Sequence, residues 1–434
     1  MITREVTINK ICKLNSETIG SNNHLEFINY LDTGNITRNK VNEFKKLYKN
    51  IDKFPSRAQR KVQINTIIYS TVRPEQEHFG IIENEVENLI VSTGFTTIDV
   101  IDDTVDAKYI YYCLTNRPIT EYLNVIATNN VTSYPSLNPS DIGDLVFNIP
   151  TSKKQQKKIA KVLSDLDAKI ELNNKINFEL EKMAKTLYNY WFVQFDFPDV
   201  NGNPYKTSGG KMVLNEIVKR EIPMEWEIKS LSKITDTNND TLNPLLFPEE
   251  DFKHYSIPTF DLTKTYGIEK GKEIKSNKFI VTERDILVSK LNPKFSRVVY
   301  TNNEDKLICS TEFVVWRTSN NYYKNYLYII AKDLSFISYC AKSATGTSNS
   351  HKRVEPKVMM DYKIVQNNIL AEKYGKTIDP WLKMIVKNQK ENQELASLRD
   401  WLLPMLMNGQ VSVGEVEREL GMVAESGETY KKIE

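Results

Sequence analysis

Residues 163–191 read LSDLDAKIELNNKINFELEKMAKTLYNYW. Within this stretch Leu163, Leu166, Ile170, Asn173, Asn177, Leu180, Ala184, Leu187 and Trp191 recur at steps of three and four. A seam kept at that spacing over about four heptads reads as one coiled-coil helix. The chain carries the pattern twice. Ile378, Trp381, Ile385, Asn388, Asn392, Leu395, Arg399, Leu402 and Leu406 repeat it, each 215 residues further on. Two Asn hold the same seam positions in both copies, and a buried Asn there fixes register and partner number at a cost in stability. The competing reading leaves these Asn exposed on a curved helix.

The duplication extends outward into the region before each helix. Ile67-Ile68-Tyr69-Ser70 with Pro74 returns as Ile286-Leu287-Val288-Ser289 with Pro293. Leu89-Ile90-Val91-Ser92-Thr93-Gly94-Phe95 returns as Leu307-Ile308-Cys309-Ser310-Thr311-Glu312-Phe313, and Pro139 and Asp144 as Pro356 and Asp361. The layout is a globular head over 1–150, a helix over 151–192, and a linker over 193–221. A second head follows over 222–366, then a second helix over 367–409 and a charged tail over 410–434. The heads mix short β-rich runs (64–72, 89–98, 285–290) with helical segments, an α+β pattern. The first helix starts after Pro150, with Thr151 or Ser152 as N-cap, and ends near Trp191-Phe192. Pro404 kinks or ends the second, with Gly409 as its C-cap. Each rod is roughly 55–60 Å long at 1.5 Å per residue. Pro198, Gly202, Pro204, Gly209 and Gly210 make the linker turn-rich.

Bulk composition excludes more than it selects. A chain of 434 residues, 40% hydrophobic and 26% charged, suits two or three soluble domains. No apolar run is long enough for a bilayer, and the first residues lack a signal-peptide core. Cys12, Cys113, Cys309 and Cys340 are scattered without a CxxC pair, as for reduced core thiols in a cytoplasmic protein. A net charge of +2 does not announce a nucleic-acid binder, so any such reading must rest on local clusters. Catalytic motifs are missing. Gly267–Lys272 is one residue short of a phosphate loop, Asn203-Pro204-Tyr205 has one Pro too few for an amino-methyltransferase, and the four His form no metal-ligand spacing.

Several further pieces carry a family resemblance. They are Pro55-Ser56-Arg57-Ala58-Gln59-Arg60-Lys61 before the strand ending at Pro74, Val91-Ser92-Thr93-Gly94-Phe95, and Ile149-Pro150 leading through Gln155-Gln156 and Ile159-Ala160 into the first helix. Glu394-Leu395, Leu398-Arg399 and Leu402-Leu403-Pro404-Met405-Leu406-Met407-Asn408-Gly409 complete the set. Together they resemble the specificity subunits of Type I restriction–modification systems over nearly the whole chain. The resemblance implies two tandem target recognition domains, each reading half of a bipartite DNA sequence. It implies that the two helices pack antiparallel as a spacer and dock two methyltransferase subunits, with a motor–nuclease subunit joining for restriction. Adenosylmethionine, ATP and Mg²⁺ would belong to those partners, and this chain would be non-catalytic. One departure is that the lead-in at 222–226 has no clear copy in the first half.

Antiparallel rods would relate the heads by a pseudo-twofold axis, as duplex DNA relates its strands. A rod of about 55 Å spans roughly 16 base pairs, an upper limit on the unread gap. Phosphate and base-edge contacts need Lys, Arg, Asn, Gln, Ser and Thr on loops. Three clusters supply them. The first is Ser56, Arg57, Gln59, Arg60 and Lys61, with Arg73 after the next strand. The second is Lys290, Asn292, Lys294, Ser296 and Arg297. The third is Thr345, Ser348, Ser350, His351, Lys352 and Arg353, with Asn130 and Ser133 as first-half counterparts. The bland reading of each is a solvated surface loop. Along the rods, Leu163, Leu166, Ile170, Asn173, Asn177, Leu180, Leu187, Ile385, Asn388, Asn392, Leu395 and Leu402 form the expected seam. Phe178, Tyr188, Tyr190 and Phe192 are expected on flanks that favour partner helices. A coiled-coil scaffold that reads no DNA, and a self-contained nuclease using Glu283 and Asp285 near Lys290, are the competing functions.

Overall fold

The computed structural model describes residues 2–20, 24–129, 135–346, 351–407, 410–416, 418 and 421. Two compact units emerge, Met1–Lys169 with Glu394–Glu434, and Ile170–Gln393. Both boundaries fall inside the long helices, Lys153–Tyr188 and Asn368–Met407. Each unit is therefore one head plus a length of both helices.

The first head contains two four-stranded sheets. One is antiparallel, in the order Cys12–Leu14, Phe95–Val100, Ile67–Ser70, Phe79–Ile81. The other runs Lys45–Tyr48, Phe27–Leu31, Leu89–Ser92, Ala58–Lys61, with Phe27–Leu31 parallel to Leu89–Ser92. The second head repeats both. Its first sheet runs Asp236–Asn238, Phe313–Arg317, Asp285–Ser289, Val298–Tyr300. Its other sheet sets Asp251–Tyr255 parallel to Leu307–Cys309 and adds Thr241–Leu242 at one edge. The apolar runs 67–70 and 285–289 are buried at every residue, which is why neither shows alternation. The four thiols are buried and unpaired, and burial pushes Cys12 up to about 12.

Asp106 and Asn320 cap the helices that follow the sheets, accepting from the backbone N–H of Tyr109 and Tyr323. Each head closes on a strand pair, Thr3–Thr7 with Val146–Pro150 and Glu227–Ser230 with Lys363–Gln366. The long helix follows directly.

The segment expected to be a linker is packed. Phe195 and Phe197 are buried, Phe197 stacks on Trp226 at 5.1 Å, and Met212–Asn215 pairs with Arg220–Pro223. Its aromatics stay hidden among Gly and Pro when the segment is read for turns. Tyr188 and Phe192 also depart from expectation. They stack at 5.3 Å within the core of the second unit rather than forming a flank, whereas Phe178 is 64% exposed.

The long helices pair antiparallel. In the second unit the Asn388 amide donates to Asn177 at 2.8 Å and the Asn173 amide to Asn392 at 2.9 Å. Asn392 donates in turn to Asn174 at 3.0 Å. Asn173, Asn177 and Asn388 are buried, so this seam is polar at its centre, as its spacing predicts. Each amide left alone there would cost about 1–3 kcal/mol, so the pairs penalise any slip of one helix along the other. Leu163, Leu166, Ile385, Leu395 and Leu402 are buried, while Ile170, Leu180 and Leu187 are half-buried. In the first unit Arg399 on the second helix bonds Asp167 on the first at 2.6 Å, and Tyr112 of the head donates to the same carboxylate at 2.8 Å. The helix runs through Pro404 to Met407, and Gly409 lies outside the described residues. No helix among the described residues is long and apolar enough to cross a membrane.

Candidate nucleic-acid interface

Each head gathers its loop clusters at one edge through main-chain bonds. In the first head the strand Ile67–Ser70 turns out of its sheet at Ser70, whose hydroxyl donates to the Val72 carbonyl and accepts the Val72 N–H, at 2.9 and 3.2 Å. Arg73 follows, exposed, with φ of +49°. Three bonds then join distant loops. Thr71 N–H reaches the Gly94 carbonyl at 2.8 Å, Arg73 N–H the Pro135 carbonyl at 3.1 Å, and Leu137 N–H the Thr71 carbonyl at 2.8 Å. Thr93 N–H bonds the Arg57 carbonyl at 2.8 Å, which brings in the 56–61 segment.

The second head uses the same wiring. Ser289 bonds the backbone of Leu291 in both senses, at 3.1 and 3.2 Å. Asn292 has φ of +46°. Lys290 N–H reaches the Glu312 carbonyl at 2.9 Å, Asn292 N–H the Lys352 carbonyl at 2.7 Å, and Val354 N–H the Lys290 carbonyl at 3.0 Å. A left-handed backbone costs a non-glycine residue about 1 kcal/mol or more. Asn tolerates it and Arg does so poorly, yet both heads hold it at the matching position. Such outliers cluster at functional sites.

The expected residues fall as follows. Ser56, Arg57, Lys61 and Arg73 are exposed, and Gln59 and Arg60 half-buried. Lys294, Thr345, His351 and Lys352 are exposed, and Lys290 and Asn292 half-buried. Two arginines are held by carboxylates that the sequence did not single out. Asp261 binds Arg297 through two bonds of 2.7 and 2.8 Å, and Glu312 binds Arg353 at 2.9 and 3.0 Å. Glu312 had a signal, since it stands where the first head has Gly94. Asp261, 36 residues from its partner, had none. Thr345 and Arg353 exchange backbone bonds of 2.9 and 2.8 Å. Asn130, Ser133, Ser348 and Ser350 lie outside the described residues. Phe295, 53% exposed on the 292–297 turn, is apolar and so carries no signal among the polar loop residues.

The carboxylate pair considered for a nuclease is built differently. Asp285 is fully buried, takes two bonds of 2.8 Å from Arg317 and accepts the Thr282 N–H at 2.7 Å. That pairing raises the Arg317 pKa above its ordinary value. Among the described residues no three His, Cys, Asp or Glu side chains gather as metal ligands.

Comparison with known proteins places this architecture. Residues 3–182 match the family described as the Type I restriction modification DNA specificity domain. The chain is 25% identical to the HindI specificity subunit of Haemophilus influenzae, over 88% of this chain and 94% of that one. It is 27% identical to the MjaIX specificity subunit of Methanocaldococcus jannaschii, over 76% and 74%. These matches support a Type I restriction–modification specificity subunit, a sequence-specific DNA-binding protein, and do not favour the scaffold reading. The S subunit of M. genitalium shares the fold, with a TM-score of 0.53 at 17% identity over 94% of this chain and 96% of that one. The α+β heads and paired long helices expected of such a subunit are both present.

Proposed function

We propose that each head reads one half of a bipartite DNA target through its gathered loops, and that the two long helices set the unread gap between the halves. The shared wiring of the loops supports this reading. Main-chain bonds hold the same turn in both heads, while the side chains presented there differ: Arg73 against Asn292, Gly94 against Glu312, Ser136 against Arg353. A scaffold fixed by backbone lets reading positions vary without loss of fold.

On this reading the loop residues take two roles. Ser56, Lys61, Lys294 and Lys352 suit phosphate contacts, which position the head. Arg57, Arg73, Asn292 and Thr345 suit base edges, where one good bidentate pair discriminates by about 1–3 kcal/mol. The chain itself performs no catalysis. It docks two methyltransferase subunits along the helices for adenine methylation and joins motor–nuclease subunits for restriction, in the cytoplasm. Adenosylmethionine, ATP and Mg²⁺ act in those partners.

Sequencing of methylated adenines in cells expressing the chain with its neighbouring methyltransferase tests the reading. The expected result is a bipartite motif with a fixed gap, of which exchange of residues 222–366 alters one block. A continuous motif would defeat the two-head reading, and assembly with the partner without any sequence preference would revive the scaffold.

A further inference from the structure

The turn after Asp285–Ser289 holds an apolar side chain among cations. Phe295 is 53% exposed, and its N–H closes the turn on the Asn292 carbonyl at 2.9 Å. Pro293 is the residue of this turn that is buried, so Phe295 is not the one that anchors it. The ring is held in place. The Arg297 guanidinium lies 5.5 Å from its centroid and Lys294 Nζ lies 4.8 Å away. Arg297 is itself pinned by Asp261, on the helix Ile257–Thr263. The bond from Asn292 to Lys352 ties the base of the turn to the loop carrying His351. An oriented ring on a short turn, rimmed by cations, matches the chemistry of a base stack flanked by phosphates. At the matching place, 219 positions earlier, the first head has Gln76.

We infer that Phe295 is a wedge that packs against the base stack of double-stranded DNA in the half-site read by the second head. Lys294 takes the adjoining phosphate, and Asp261 sets the ring's attitude through Arg297. The wedge unstacks one base step on the second half-site only, because Gln76 offers no such ring. This rests on the reading of the second head as a DNA reader.

The test uses the chain assembled with its methyltransferase subunits and duplexes bearing its methylation target. 2-Aminopurine is placed in turn at each step of the half-site that changes when residues 222–366 are exchanged. The wild-type assembly is expected to raise fluorescence several-fold at one step. Phe295→Ala is expected to abolish that rise and weaken specific binding on the order of ten-fold. Phe295→Trp should keep both. All variants should assemble and keep their preference for the first half-site, which separates a lost wedge from a lost fold. A wild type that prefers the second half-site without any fluorescence rise overturns the wedge alone, as does an unchanged Phe295→Ala. A wild type with no preference at that half-site overturns the head reading, and the wedge with it.

Discussion

The two heads differ least where the chain uses only its backbone and most where side chains stand on that backbone. The Ser70 and Ser289 turns make the same two bonds, and, beside the Thr71 hydroxyl that adds a bond of 3.0 Å to the Gly94 carbonyl, each is stitched to the next loops by matching N–H and carbonyl groups. Any residue but proline supplies those groups. The residues carried by the stitches are free to change, and they have done so in kind: Gly94 is small where Glu312 is anionic, and Gln76 is polar where Phe295 is apolar. Divergence of side chains and constancy of frame are thus the same design decision at two levels.

The heads also differ in how tightly they meet their helices. Gly375 sits so close to the second head that an added Cβ would lie 1.8 Å from the Tyr322 carbonyl oxygen. The matching residue of the first helix, 215 earlier, is Ala160, buried without such conflict. Gly375→Ala should therefore cost more than about 4 kcal/mol, because neither colliding group is a flexible side-chain end. Ala160→Gly should cost only about 1 kcal/mol, the loss of helix propensity. Denaturant melts compare them, and equal costs would show that the junctions are alike after all.

A buried lysine sharpens the contrast. Lys324, 1% exposed, donates to the carbonyls of Glu283 and Thr301 at 2.6 Å each and lies 3.7 Å over the Tyr300 ring. Lys108 in the first head pairs at the surface with Glu83 at 2.6 Å. Burial pushes Lys324 down to about 7. Between that value and the usual lysine value near 10, the unfolded chain binds more protons than the folded one, so stability rises with pH across this window and is lost as pH falls toward 7. A tenfold change in proton affinity is worth about 1.4 kcal/mol. Melts at pH 7 and pH 9 should differ in the wild type and in Lys108→Met, and converge in Lys324→Met. A slope that survives Lys324→Met belongs to another group.

Much of this was legible before any fold was known. Repeats 215–219 residues apart forecast duplicate sheets, and the 3,4-spacing with matched Asn forecast a polar seam that forms hydrogen-bonded pairs. Legibility failed where identity alone misleads. Tyr188 and Phe192 lie off the seam, yet they fill a core made by residues far along the chain, Tyr326 and Tyr374. Arg297 looked like an available cation because Asp261 belongs to another element. Phe295 carries no signal of this kind, because an apolar ring has none of the hydrogen-bonding groups that mark a polar loop.

Arg73 lets backbone and side chain be judged separately. Glycine adopts positive φ without steric cost, so Arg73→Gly keeps the turn and removes only the guanidinium. Specific binding should weaken on the order of ten-fold, with base preference relaxed in the first block of the methylated motif and unchanged in the second. Loss of preference in both blocks would mean that the heads do not read independently.

The smallest effect concerns Glu312, where one substitution installs the first head's residue in the second. Its carboxylate holds Arg353, which remains 42% exposed. Glu312→Gly removes one negative charge from the gathered loops and releases a guanidinium that can neutralise a phosphate. A further neutralised phosphate steepens the dependence of log affinity on log salt by about one. Affinity should therefore rise at low salt and converge with the wild type as salt increases, while discrimination in the second block falls. An unchanged slope would place the Glu312–Arg353 pair away from DNA and confine reading by the second head to the 290–297 turn.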